Sequence, residues 1–162
     1  MTSEDFKREF NISAKIIYRE WLMEAIEHDD YKSFRDCVLN LGTEWHVIRT
    51  VEKDNQDDFC KNLWDNRKKI QNGTYSGWAE SPYDAYSYKS KVCFLINPQY
   101  YKLIYDSKNR DAINEENFKP ANWQDVVDKY YEKDKKEFLK SEKDVLKIFE
   151  IDYYLWNKEK QS

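Results

Sequence analysis

A chain of 162 residues has the length of one domain and on folding buries roughly 68–70% of its extended surface, enough for a core. Charged residues make up 36% and aromatics 17%, with 6 Trp, 13 Tyr and 8 Phe; so many aromatic rings exclude a disordered chain. Glycine and proline number three each, about 4% together against a usual sum near 12%, which argues against hairpin-rich all-β folds and glycine-rich phosphate loops.

The first residues, Met1 to Asp5, lack the basic and apolar regions of a signal peptide. No apolar run approaches 18 residues. The expectation is a cytoplasmic protein with no membrane partner. Three widely spaced cysteines, Cys37, Cys60 and Cys93, form no CxxC pair and read as buried, reduced thiols.

Helical periodicity runs through almost every segment. Ile17, Trp21 and Ala25 recur at i, i+4, i+8 behind caps at Asn11 or Ser13. Tyr31, Phe34, Val38 and Leu41 continue the pattern, with Gly42 placed to end that helix. Residues 45–51 fit either a helix or a short extended piece. Asp57 or Asp58 caps a helix carrying Phe59, Leu63, Trp64 and Ile70, which stops at Gly73.

Residues 72–82 read as a loop, holding two glycines and one proline. An apolar helix over about 83–96 follows and ends before Asn97-Pro98; its nearly uncharged stretch places it at the centre of the fold. Asp106 or Ser107 caps a further helix through Ala112 and Ile113. Pro120 and Asn122 announce another, carrying Trp123, Val126, Val127 and Tyr130. Ser141 to Asp144 resembles a capping box before a last helix with Val145, Ile148, Phe149 and Trp156 facing inward. The sum is one all-α domain over 1–162, with about six to eight helices.

Charge is unevenly spread. Residues 61–110 hold nine basic and four acidic side chains, a balance of +5, so the rest of the chain holds −9 of the total −4. Within that window the cations Lys68, Lys69, Lys89, Lys108 and Arg110 interleave with rings such as Trp78 and Tyr105. Phosphates need cations and bases stack on rings, so this stretch suits a nucleic acid. A solvated surface over an aromatic core gives the same composition.

Sites for other chemistry are sparse. His28 and His46 are the two histidines, and neither has ligand-spaced partners, so no metal, cofactor or Ser-His-Asp triad is expected. Acidic pairs at 29–30 and 57–58 suit helix starts. Asp106 follows two apolar residues at the mouth of a helix, where it is either a cap or an acid facing a site. Lys91, among Val92, Phe94, Leu95 and Ile96, either snorkels to solvent or is desolvated into a nucleophilic amine.

The block Ser90-Lys91-Val92-Cys93-Phe94-Leu95-Ile96-Asn97-Pro98, then Ile104-Tyr105-Asp106-Ser107 and Ala112-Ile113, resembles a bacterial family of 8-oxoguanine DNA glycosylase-like proteins. That family is an offshoot of the helix-hairpin-helix glycosylase superfamily. Ile151-Asp152, Leu155-Trp156 and Lys158 resemble its closing segment. The resemblance implies a glycosylase-like helical fold, with Asp106 as the acid assisting base removal and Lys91 as the amine of a lyase step. Lys68, Lys69, Trp78, Lys89, Tyr105, Lys108 and Arg110 become candidates for binding nucleic acid or the flipped base. The chain departs from the superfamily pattern in carrying no glycine over residues 80–86. Lys89 fits the superfamily spacing to Asp106, whereas Lys91 fits the local pattern, so both remain candidates for the amine.

The expected function is therefore a DNA glycosylase-like hydrolase acting in base excision on a modified base, with a role in bacterial or phage defence. The alternative is a helical binding module that keeps the fold without catalysis. An immunity-type inhibitor, using the acidic remainder to bind a protein partner, is the third reading.

Overall fold

A computed structural model describes residues 2–79, 85–113, 119–134 and 145–157. Among these residues there are nine α-helices and four short 3₁₀ turns, and no strand. The helix count exceeds the expected six to eight because short helices form where the pattern suggested one longer helix or a plain crossing.

Helix α1 (Ser3–Glu27) starts at a capping box: the Thr2 hydroxyl accepts the Asp5 N–H, and the Asp5 carboxylate accepts the Thr2 N–H, both at 3.1 Å. Asn11 and Ser13 therefore lie inside the helix rather than at its start. The first two turns are mostly exposed, Phe6 and Phe10 included, so no buried stripe marks them. Further along, Lys15, Tyr18, Leu22 and Ala25 form the buried stripe, and one member of that stripe is a lysine.

Asp30 caps α2 (Tyr31–Glu44) by accepting the Ser33 N–H at 3.0 Å. Gly42 does not end this helix. The Tyr88 ring lies against it so closely that a Cβ would overlap the ring, and the helix runs on to Glu44. His46 follows in the left-handed region at φ +58°, and residues 48–50 form a 3₁₀ turn rather than a strand.

The expected helix over 57–73 is two helices, α3 (Gln56–Asp65) and α4 (Arg67–Asn72), separated at Asn66. Asn66 turns its amide back onto the Asn62 carbonyl at 2.8 Å, which competes with helix continuation. Asp57 does not cap α3; it accepts from Tyr31 and Arg35, each at 3.3 Å. Gly73, at φ +73°, ends α4 as its position suggests.

Helix α5 (Tyr86–Ile96) is the central element. Val92, Cys93, Phe94 and Leu95 have no exposed surface, so the helix is buried on nearly every side. Arg19 of α1 donates to the Leu95 and Ile96 carbonyls at 2.7 Å each, occupying acceptors that a helix end leaves open. Residues 80–84, including the first part of the expected helix, lie outside the described residues.

Beyond α5 come α6 (Pro98–Tyr101), α7 (Ser107–Ile113), α8 (Trp123–Asp134) and α9 (Val145–Asn157). The capping pattern at 141–144 lies outside the described residues. Phe149 of α9 packs on Phe94 of α5 with ring centroids 5.3 Å apart. Helix α1 packs on α2, α5 and α9, while α9 also meets α6 and α7. This brings the middle of α1, the flank of α5, the turn before α7 and the end of α9 to one place.

All three cysteines are free and buried, and burial pushes the Cys60 thiol up to about 12. No described helix is long and apolar enough to cross a membrane.

Candidate functional site

The turn before α7 is fixed from both sides. The Ser90 hydroxyl on α5 accepts the Tyr105 N–H at 2.9 Å. One oxygen of Asp152, on α9, accepts the Ile104 N–H at 3.0 Å and the Asn109 side-chain amide at 2.9 Å. Asp106 then caps α7, its Oδ1 accepting the Asn109 N–H at 2.7 Å. Three sequence blocks, at 90–91, 104–106 and 151–152, thus meet through hydrogen bonds.

Beside this junction lies a cavity of about 290 Å³, whose lining includes Lys15, Lys91, Asp106, Asp152, Trp45 and Trp156. Asn11, Glu44, His46 and Ile104 complete it. Its walls therefore carry two amines, three carboxylates and two indole rings. The Lys91 ammonium donates to Ser87 Oγ at 3.0 Å, and the Lys15 ammonium to Asp152 Oδ2 at 2.9 Å. Asn11 Oδ1 is buried with no hydrogen-bond partner among the described residues, an acceptor left open beside the cavity.

Electrostatics bring the two central groups toward their neutral forms. Burial pushes the Asp106 carboxyl up, opposed by the Lys91 cation, the Asn109 N–H and Lys15, and reinforced by the Asp152 charge. Burial pushes the Lys91 ammonium down, opposed by Asp106 and Asp152 and reinforced by Lys15. Burial thus works against both charges, and the opposite charge of the other group works for each of them.

The other sequence candidates are placed differently. Lys89 leaves α5 on the far side from Lys91, since two residues rotate a helix by roughly 200°. It is buried with its ammonium 5.2 Å from the Tyr86 ring, so Lys91 is the lysine of α5 that lines this cavity. Trp78 and Tyr105 do not supply the rings of the lining. They are buried against each other at 5.6 Å, and Trp45 and Trp156 take that place.

Arg110 braces the turn, donating to the Asp106 carbonyl at 3.3 Å with its guanidinium 4.8 Å from the Tyr105 ring. Lys108 is outside the lining, its ammonium 5.3 Å from the ring of Trp156, which belongs to it. Lys68 and Lys69 are exposed on α4, which contributes nothing to this lining.

Lys15, Asn11, Trp45 and His46 are lining residues that the sequence reading did not single out as site residues. The available signal was Lys15 itself, a cation on the apolar stripe of α1. Among the described residues no group of three or more His, Cys, Asp or Glu is placed to hold a metal ion.

Protein families, characterised proteins and solved structures provide no match to this chain.

Proposed function

We propose that the cavity receives a nucleobase swung out of DNA, and that the protein is a DNA glycosylase-like protein that removes or recognises a modified base. The observation that carries this reading is that Lys91 and Asp106 line one cavity, each within electrostatic reach of the other. A volume near 290 Å³ is at the small end of ligand pockets, suited to a single flat ring system. Trp45 and Trp156 supply stacking surfaces, and Lys108, near the Trp156 ring, is the cation offered to a phosphate.

In this mechanism the glycosidic C–N bond breaks with its electron pair leaving on the base. The Asp106 carboxylate stabilises the positive charge that develops on the sugar. Lys91, as the free amine, bonds to C1′ of the sugar and gives up a proton, which the departed base takes; the ring C–O bond opens to an iminium, a C2′ proton leaves, and the 3′ C–O bond breaks with its electron pair on the phosphate, which cleaves the strand.

Incubation with oligonucleotides bearing oxidised, alkylated and glucosylated bases tests the proposal. Wild type should release one of these bases, Asp106→Asn should release none, and Lys91→Gln should release base without strand cleavage or borohydride trapping. If no base is released and Asp106→Asn binds DNA as wild type does, a binding module replaces the enzyme. That second reading is favoured by Phe6 and Phe10, which are 61% and 63% exposed on α1 and line an adjoining groove.

A further inference from the structure

Lys15 and Asp152 are 4% and 2% exposed, so their charges are almost wholly removed from water. A buried ion pair is costly to desolvate, and an apolar pair of similar volume packs two helices as well or better. The contact between α1 and α9 therefore does not explain why charges stand there. Both side chains face the cavity that Lys91 and Asp106 face. The Asp152 carboxylate is fully engaged, with Lys15 on Oδ2 and the Ile104 N–H and Asn109 amide on Oδ1. It ties α1, α9, α7 and the turn of Asp106 together at one point.

We propose that Lys15 and Asp152 are positioning residues of the Lys91–Asp106 site, a fixed pair of charges on the cavity wall that sets the balance between the ammonium and free-amine forms of Lys91. The inference rests on reading Lys91 and Asp106 as the working pair.

The charged groups around Lys91 come from every side of the cavity: Asp106 from the turn, Asp152 from α9, Lys15 from α1, and Glu44 and His46 at the end of α2. The Lys15 cation disfavours a second ammonium nearby, and the Asp152 anion favours it. Locked together at 2.9 Å, the two largely offset each other. Removing either one exposes the effect of the other. Lys15→Met should hold the proton on Lys91 to higher pH, and Asp152→Asn should release it at lower pH. A merely structural role predicts otherwise, because loosening the cavity admits water and moves Lys91 upward in both variants.

The test is reductive methylation of the full chain with formaldehyde and cyanoborohydride across a pH series, with labelling at Lys91 quantified by mass spectrometry. Below the labelling midpoint, Lys91 should react about tenfold more slowly in Lys15→Met and about tenfold faster in Asp152→Asn. Shifts in the same direction, or no shift, overturn the inference. Should Lys15→Met not fold, the near-isosteric Asp152→Asn decides: faster labelling supports the proposal, and unchanged or slower labelling overturns it. Base release is scored separately. Opposite shifts without base release defeat the glycosylase reading alone, and base release without opposite shifts defeats this inference alone.

Discussion

Ser90 accepts the Tyr105 backbone N–H at 2.9 Å while donating to the Ser87 carbonyl at 3.0 Å. The residue beside Lys91 thus fastens the turn that presents Asp106. Helix α5 carries the amine and holds one side of the turn that presents the carboxyl, while Asp152 of α9 holds the other.

Ser90→Ala should therefore act on stability and site together. It leaves the Tyr105 N–H buried without an acceptor, at about 1–3 kcal/mol. Urea unfolding should show that loss, and the base-release assay a slower reaction. Wild-type stability in the variant would show that the turn is held by Asp152 alone.

Much of the fold was legible because apolar spacing reports local structure. The burial of α5 follows from Val92 to Ile96, and the start of α7 from Asp106 ahead of Ser107. What was not legible depended on long-range contact. Nothing in the residues around Lys15 marks it, and only the arrival of Asp152 from the far end of the chain makes it half of a buried ion pair. Gly42 reads as a helix stop until Tyr88 is seen to lie against it. The basic window described composition rather than one surface: Lys89 is buried, Arg110 braces a turn, and Lys68 and Lys69 lie on α4.

Gly42→Ala should destabilise the protein although alanine is the better helix former. The added methyl meets the Tyr88 ring, and Tyr88 is anchored by its hydroxyl donating to the Val38 carbonyl. Overpacking of this kind costs about 1–3 kcal/mol. Equilibrium denaturation is the check, and a gain in stability would refute the close contact.

His46→Gly should have the opposite sign. His46 holds φ +58°, a conformation that glycine adopts freely and residues with a side chain only at a cost. Relief of that strain is worth about 1 kcal/mol, or roughly 2–4 °C in melting temperature for a chain of this size. Because His46 lines the cavity, the same variant should lose base binding, measured as reduced quenching of tryptophan fluorescence by free bases. Stability up and binding down is the expected result.

The folded state holds the Asp106 proton more tightly than the unfolded chain does, mainly through burial. The resulting stability is fully present below the ordinary carboxylate value and is lost as pH rises through the raised one. Relative to Asp106→Asn, which keeps the cap on Asn109 but cannot ionise, wild type should lose stability as pH rises from about 4. Lys91 runs the other way. Its folded-state value is lowered, again mainly by burial, so stability is lost as pH falls through that lowered value and is fully present only above the ordinary lysine value. Relative to Lys91→Gln, wild type should gain stability as pH rises toward about 10.4. Urea melts of the three proteins from acid to alkaline pH give the two difference curves directly. Slopes of opposite sign are expected, and a Lys91 difference that declines with rising pH would mean that its ammonium is held charged in the fold and is not the site's amine.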